Sequence, residues 1–292
     1  MPKIFLVFLI IFIQNYTHAQ RFDDVKITTI SVTDQIFMLQ GAGGNIGISI
    51  GDDGVFVIDD QFAPLTEKIH TAIKSLSNGN IKFLVNTHYH GDHTGGNENM
   101  TKLGATIIAH DNVRQRMSTT PKRDGTDQPE AALPIITFND KLSLFINGEK
   151  VGVFHIDNAH TDGDALLYFT KNNVLHTGDT YFKGRYPYID LNSGGSVNGY
   201  IEAVKLGLKL SDENTKIIPG HGDLSNRTEY ESFLRMLENL KKRVQDEIDS
   251  GKTEEEVAMN ESITKTYDDL NYGNGFISSE RIRRTFYTSL KN

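Results

Sequence analysis

The pattern of apolar and polar positions predicts two successive groups of strands, each followed by helices. Residues 25–60 contain the runs VKITTISV, QIFMLQ, NIGISI and VFVID, separated by Gly and Asp turns, which favours short antiparallel strands. Apolar residues then recur at helical spacing from Leu65 to Leu76, and an Asn-Gly pair follows as a stop signal. The run IKFLVNTH predicts a strand, residues 97–102 a helix, and ATIIAH a further strand.

The second half of the chain repeats this arrangement. The runs LSLFI and VGVFHI flank Asn147 and Gly148, a pair typical of a tight hairpin. ALLYF, NVLHTGD and TKIIPGHG predict strands, SVNGYIEAVKLGLKL predicts a helix, and a long helix is expected from Tyr230 to Ile248. Sheet followed by helix, twice over, indicates an α/β protein with two packed mixed sheets and helices outside them, a four-layer αβ/βα sandwich.

The start of the chain has the layout of a secretory signal peptide. Lys3 precedes an apolar run at positions 4–13, and small residues at positions 17 and 19 fit cleavage after Ala19. The run is shorter than the roughly 20 residues of a membrane-spanning helix. A buried N-terminal strand is the alternative. We therefore expect a periplasmic or secreted protein that is free of the membrane after signal cleavage.

These patterns divide the chain into three parts and also predict a long loop. Residues 252–292 are polar and poorly patterned; we assign this C-terminal tail no function and expect it to pack on the preceding domain. Residues 117–134 contain Pro and Gly without periodicity and predict a loop. The predicted organisation is a signal peptide at 1–19, one α/β domain at 20–251 and the tail at 252–292.

Composition narrows the classes of partner. The 292 residues carry a formal charge of −8 without a basic cluster, which argues against nucleic acid and anionic membranes as partners. There is no cysteine, so neither disulfides nor a thiol nucleophile contribute. The run GAGGNIG is not a dinucleotide motif, because its third glycine stands at position 47 instead of 46. A small-molecule substrate remains, and the oligomeric state stays open.

The segment THYHGDHTGGN, residues 87–97, concentrates the candidate chemistry. His88, His90 and Asp92 alternate at the exit of a strand, so their side chains should point the same way, whereas His93 should face another direction. Three imidazoles and a carboxylate in a small volume pack poorly but are good ligands for a first-row metal ion. A polar surface loop is the alternative.

This segment resembles the metal motif of the metallo-β-lactamase fold superfamily. The later ligands of that superfamily find matches in order in NAHTDGD, HTGD and PGHGD, each just past an apolar strand. The resemblance implies two zinc ions per chain, with iron or manganese as alternatives. It assigns one metal to His88, His90 and His160, the other to Asp92, His93 and His221, and a bridging role to Asp179.

The same resemblance implies an exported metallo-hydrolase in which a metal-bridging hydroxide attacks a carbonyl, with Asp92 as the catalytic residue that orients it. The complete ligand set resembles hydroxyacylglutathione thioesterases and acyl-homoserine lactonases, whereas NAHTDGD and DLNSGGSVNGY resemble exported proteins grouped beside the β-lactamases. Export favours an external substrate such as a β-lactam or a lactone over a cytosolic thioester. A β-lactam-like ring, and hence antibiotic catabolism, is placed slightly ahead of a lactone or other ester. An iron-dependent oxidoreductase and a non-catalytic zinc-binding module are the remaining alternatives.

Further residues are candidates for supporting roles. Asp59 ends a strand and either orients the ligand loop or caps it. His70, His110, His155 and His176 are expected at the surface, in the core or behind the ligands. Polar residues of the loop at 181–200 are candidate substrate contacts: Tyr181, Lys183, Arg185, Ser193 and Asn198.

Overall fold

The computed structural model describes residues 22–121 and 125–291. The signal peptide predicted at 1–19 lies outside the described residues, and so do residues 122–124 of the predicted loop. Within the described ranges, no helix combines the length and the apolar character that crossing a membrane requires.

The first sheet has seven strands, and neighbours in sequence are neighbours in the sheet. They are β1 (Thr28–Ser31), β2 (Ile36–Gln40), β3 (Ile46–Gly51), β4 (Gly54–Ile58), β5 (Ile81–Val85), β6 (Thr106–His110) and β7 (Ile136–Phe138). Pairing is antiparallel from β1 to β4 and parallel from β4 to β7. Parallel pairing brings the carboxyl ends of β4, β5 and β6 to one edge, where the loops after them meet.

The second sheet has six strands in the order β13-β12-β11-β10-β9-β8. They are β8 (Lys141–Ile146), β9 (Glu149–His155), β10 (Ala165–Phe169), β11 (Val174–His176), β12 (Lys216–Ile218) and β13 (Ser225–Asn226). Only β11 and β12 pair in parallel, and the other pairs are antiparallel. The hairpin predicted at Asn147 and Gly148 joins β8 to β9, and both residues have positive φ, at 55° and 70°.

Helices cover the outer faces of both sheets. The described α-helices are α1 (Thr66–Leu76), α2 (Gly91–Thr94), α3 (Asn97–Lys102), α4 (Asp111–Thr119), α5 (Val197–Leu210), α6 (Arg227–Asp249), α7 (Glu254–Met259), α8 (Lys265–Asp268) and α9 (Ser279–Lys291). Short 3-10 turns lie at Ala63–Leu65, Glu130–Ala132, Gly178–Thr180, Leu191–Ser193, Glu261–Ile263 and Tyr272–Asn274. The last residues of helix α4 and the whole turn at Glu130–Ala132 lie within the segment 117–134, which the sequence predicted as a loop throughout.

The alternation of side chains along each strand of the first sheet gives two apolar clusters, one between the sheets and one between that sheet and its helices. In β4, Phe56 and Ile58 face the second sheet, where they pack with residues such as Val153 and Leu167. The residues between them on the strand, including Val57, face the opposite way and pack against α1. Successive side chains of a strand point to opposite faces, so a strand covered on both sides is apolar throughout. The predicted four-layer sandwich is confirmed.

The tail forms structure that its polar sequence did not predict. A capping box at Thr253 and Glu256 begins α7. In α9, Ile282 and Phe286 are each 1% exposed and belong to the same apolar cluster as Tyr200 of α5. Because these residues fill the space over the outer face of α5 and α6, the segment 252–292 packs as part of the second helical layer.

Candidate metal centre

The candidate ligands converge at the edge where the loops of both sheets meet. His88 and His90 follow β5, whereas Asp92 and His93 lie in α2. His160 follows β9, Asp179 lies in the 3-10 turn after β11, and His221 follows β12. The seven side chains form two groups within which the ligand atoms lie within 4.8 Å of one another: His88, His90, His160 and Asp179, and then Asp92, His93 and His221.

The first group brings three ring nitrogens together around one point. His90 Nδ1 lies 3.1 Å from His88 Nε2 and 2.9 Å from His160 Nε2. Asp179 Oδ2 lies 3.9 Å from His88 Nε2 and 3.6 Å from His160 Nε2. This set of three imidazoles and one carboxylate oxygen suits a first-row metal ion.

The second group faces the other oxygen of the same carboxylate. Asp179 Oδ1 lies 3.1 Å from His93 Nε2 and 3.3 Å from His221 Nε2. Asp92 Oδ2 completes the group at 3.7 Å and 3.4 Å from the same two nitrogens. The two oxygens of Asp179 therefore face one group each, which is the arrangement expected of a bridging carboxylate.

Two glycines make room for this arrangement. A Cβ atom at position 220 would lie 2.1 Å from Asp179 Oδ1, and one at position 44 would lie 2.0 Å from His93 Cε1. Side chains at Gly220 and Gly44 would therefore displace a ligand from each group, which explains why the backbone can approach the centre so closely there.

Each histidine of the first group has an inner ring nitrogen, which points into the centre, and an outer ring nitrogen, which points away from it. The outer nitrogen of each donates to a hydrogen-bond acceptor. His160 Nδ1 donates to the carbonyl oxygen of Tyr188 at 2.8 Å, and His90 Nε2 donates to Asp190 Oδ2 at 3.1 Å. His88 Nδ1 donates to Thr87 Oγ1 at 3.1 Å, because that hydroxyl in turn donates to a carboxylate. With the ring proton on the outer nitrogen, the lone pair of the inner nitrogen points into the centre.

Asp59 accepts the bonds that support both groups. Its Oδ2 accepts from His93 Nδ1 at 2.7 Å and from Thr87 Oγ1 at 2.8 Å, and its Oδ1 accepts from Thr87 N at 2.8 Å. The side chain is fully buried, and φ is 62°. Of the two roles considered for Asp59, the structure places it where it orients the ligand loop.

The lone pairs that converge in the centre indicate a cation. Nitrogen lone pairs about 3 Å apart repel each other unless a positive charge lies between them. In the second group, the buried atoms His93 Nε2 and Asp179 Oδ1 lie 3.1 Å apart, and neither forms a well-aligned hydrogen bond within the described residues. A buried polar atom without a partner is costly, and a metal ion would satisfy both atoms. The residues present therefore fit two metal ions, one in each group.

Burial and charge shift the pKa values of the ligands in opposite directions in the two groups. Burial lowers the pKa of His160 to about 4 and holds that of His88 well below its usual value. Burial acts in the same direction on His221, but the carboxylate of Asp179 outweighs it and raises the pKa to about 9. The pKa of His93 is likewise raised, against burial, by Asp179 and other carboxylates. Without metal, protons therefore accumulate in the second group.

The candidate substrate contacts are only partly at this centre. Tyr181 is 2% exposed and its hydroxyl bonds Ser225 Oγ at 2.9 Å, so it belongs to the core. Lys183 is held by Glu229 at 2.8 Å, and Asn198 lies on the outer side of α5, in a cavity between α5 and α6. Ser193 is buried and shares a hydrogen bond of 2.7 Å with Tyr89. Arg185 lies beside Gly275 of the tail.

The sequence did not identify several residues that support the centre. Tyr188 supplies a carbonyl to His160 and stacks on His90, with ring centroids 5.8 Å apart. Asp190 accepts from His90, and Phe182 stacks on His221 at 4.9 Å. These residues lie in an irregular loop without periodicity, so no local pattern connected them to ligands distant in the chain. His110 and His155 stack on each other at 3.6 Å, outside both groups.

Comparisons with known proteins identify relatives that match between about half and four fifths of the chain. A Beta-lactamase-like protein 2 homolog of Caenorhabditis elegans is 24% identical over 238 residues, which cover 80% of this chain and 73% of that protein. A Hydroxyacylglutathione hydrolase of Pelagibacter ubique (strain HTCC1062) is 31% identical over 157 residues, which cover 51% of this chain and 56% of that protein. The match thus spans little more than half of that relative's length.

A solved structure has the same fold. A metallo-beta-lactamase from Pontibacter korlensis matches with a TM-score of 0.62 at 18% identity, over 73% of this chain and 100% of that chain. The family model of the Metallo-beta-lactamase superfamily matches residues 43–244, a range that includes every residue of the two ligand groups. The chain therefore belongs to the metallo-beta-lactamase superfamily.

Proposed function

We propose that this protein is a metal-dependent hydrolase that cleaves an acyl carbonyl substrate at the two-group centre. The observation that carries the proposal is the division of the Asp179 carboxylate between two sets of histidines whose inner lone pairs converge. A closed structural zinc site has four ligands around one ion, whereas this centre offers seven side chains for two ions. Two bound divalent cations would polarise a carbonyl and supply hydroxide at neutral pH.

The exposure of the ligands indicates the side from which a substrate approaches. The side chains of His88, His93 and His160 are fully buried. Those of Asp92, His221 and His90 are 30%, 21% and 18% exposed. A substrate therefore reaches the centre past these three side chains, whereas the three fully buried histidines face the interior.

We propose that Asp92 orients the attacking water and accepts and transfers the proton that this water releases. Burial raises its pKa, but His93 and His221 outweigh this and lower it to about 2, so the carboxylate is ionised at neutral pH. Its Oδ2 lies at the open side of the second group, 3.4 Å from His221 Nε2. An ionised carboxylate in this position can orient an attacking water by accepting its hydrogen bond.

Within the acyl class, the first candidate is a β-lactam-like ring and the second is a thioester. The β-lactam-like candidate rests on the resemblance of the segments around His160 and Asp190 to exported proteins grouped beside the β-lactamases. The thioester candidate is favoured by the relative from Pelagibacter ubique, because its name describes a thioester hydrolase. Fold and ligand set do not choose between these substrates, since one fold hosts many activities.

Export is a further part of the proposal. It rests on the basic residue Lys3, the apolar run at 4–13 and the small residue Ala19, and these lie outside the described residues. N-terminal sequencing of protein recovered from a periplasmic fraction should begin at Gln20. Recovery of the uncleaved chain from the cytoplasm would contradict export and would leave the hydrolase proposal intact.

A hydrolysis panel tests the activity. Zinc-loaded protein should cleave at least one of nitrocefin, a carbapenem, an acyl-homoserine lactone and an acyl thioester, and the Asp179→Ala variant should lose both activity and bound metal. His70→Gln is the matched control, because His70 lies in α1 outside both ligand groups. Predominant iron with oxygen uptake would favour an oxidoreductase, and two zinc ions without any hydrolysis would favour a non-catalytic module.

A further inference from the structure

The tail places an arginine against two aromatic rings near the metal centre. The Arg281 guanidinium carbon lies 5.3 Å from the ring centroid of Tyr188 and 5.0 Å from that of Phe276. The two rings meet edge to face, with centroids 5.7 Å apart. Contact with aromatic faces holds a guanidinium in a defined plane while its N–H groups stay available.

This cluster is continuous with the ligands of the first group. Tyr188 stacks on His90 at 5.8 Å and meets His160 edge to face at 5.6 Å. The main chain of Tyr188 also accepts from His160 Nδ1. The ring of Tyr188 therefore lies between the candidate metal ligands on one side and the residues of the tail on the other.

The charge of Arg281 is not neutralised within the part of the chain that the structure describes. Its side chain is exposed and forms no ion pair with a described carboxylate. Arg284, on the same helix, contacts Glu254, Glu255 and Glu280 instead. Phe276 is 72% exposed, so its ring lies at the surface beside the guanidinium. An unpaired guanidinium and an exposed ring side by side form a surface suited to an anion with an apolar neighbour.

We propose that Arg281 binds an anionic group of the substrate, a carboxylate or sulfonate, and that Phe276 contacts the apolar part beside it. This inference rests on the proposed hydrolase function for the statement that the bound molecule is a substrate. The planar guanidinium offers two parallel N–H groups that match the two oxygens of a carboxylate. The substrate would then carry its anion towards the tail and its acyl carbonyl towards Asp92 and His221.

Binding to the metal-free protein tests this site separately from catalysis. Chelator-treated protein is titrated with phenylacetate and with neutral phenylacetamide, and binding is followed by ligand-observed NMR. Phenylacetate should bind with a dissociation constant on the order of 1 mM, and Arg281→Gln should weaken it about tenfold. Arg235→Gln is the matched control, because Arg235 is an exposed arginine of α6 without a carboxylate partner among the described residues.

The outcomes separate the two proposals. Weaker phenylacetate binding by Arg281→Gln, with phenylacetamide binding and the Arg235→Gln variant unchanged, supports the anion site even if the hydrolysis panel shows no activity. Equal phenylacetate binding by wild type and Arg281→Gln, or equal binding of acid and amide by wild type, overturns it even if the panel shows activity. In zinc-loaded protein, Arg281→Gln should lower kcat/KM about tenfold for an acyl substrate with a carboxylate and less than about threefold for its methyl ester.

Discussion

At the residue scale, the backbone of Asp59 determines how both ligand groups are supported. Its φ of 62° places it in the left-handed region, which few residues other than Gly, Asn and Asp adopt readily. From this position one carboxylate accepts from the main chain and hydroxyl of Thr87 and from the ring of His93. A single short acidic side chain thus sets the orientation of a ligand in each group.

The Asp59→Asn variant tests this support without straining the backbone, because asparagine also tolerates positive φ. The amide side chain would keep one acceptor oxygen and lose the charge and the second acceptor. We expect metal affinity to fall by about 10- to 100-fold, measured by competition with a chelator. Asp157→Asn is the control, since Asp157 is 93% exposed and outside both groups. Equal affinities in the two variants would contradict an orienting role.

At the scale of elements, the tail completes the second helical layer and reaches the centre. Tyr186, in the loop that carries Tyr188 and Asp190, donates its hydroxyl to Asp268 at 2.7 Å and its main-chain N–H to the carbonyl of Tyr272. The loop that supports His90 and His160 is therefore held in turn by residues of the tail. Sequence alone did not predict this, because α9 buries few side chains and many of its remaining positions are charged or polar.

Truncating one buried side chain of α9 tests whether the tail is part of the domain. Phe286 is 1% exposed, so Phe286→Ala should lower the free energy of unfolding by about 3–5 kcal/mol. Leu270, also in the tail, is 62% exposed, and Leu270→Ala should change this free energy by less than about 0.5 kcal/mol. Urea denaturation measures both. A Phe286→Ala protein as stable as wild type would mean that the tail does not contribute to folding.

At the scale of the whole molecule, each sheet contributes only part of the charged and titratable side chains of the centre, and the packing of the two sheets brings them together. The loops after β4 and β5 supply Asp59 and His88 to the centre, and the second sheet supplies Asp179 after β11 and His221 after β12. Their mutual attraction offsets part of the cost of burying them in one place. The stability of the metal-free protein should therefore depend on pH through these groups.

The sign of that dependence follows from the raised pKa values of the second group. Burial lowers the pKa of His221, but Asp179 outweighs it and raises the value to about 9. The stabilisation is complete below the unfolded value of about 6.5 and is lost as pH rises through about 9. Burial of Asp164 raises its pKa to about 8, which also lowers stability as pH rises towards that value.

We therefore expect the free energy of unfolding of chelator-treated protein to fall between about pH 6.5 and about pH 9. Zinc-loaded protein should show a smaller fall, because metal binds the deprotonated imidazoles and its affinity rises with pH, whereas the contribution of Asp164, which lies outside both ligand groups, remains. Urea denaturation at several pH values, with and without zinc, measures the difference. Parallel pH profiles for the two forms would contradict the assignment of His93 and His221 as ligands.

The sequence by itself determined most of the strands, the helices α1, α5 and α6, and the ligand motif, because each depends on residues close together in the chain. Alternating apolar positions decide which face of a strand is buried, and His88, His90 and Asp92 lie within one short segment. The resemblance supplied the later ligands. Only the tertiary structure decided which oxygen of Asp179 faces which group, that Tyr181 is in the core, and that Arg281 stands beside Tyr188. These relations join residues far apart in sequence, and packing between the sheets and the tail sets them.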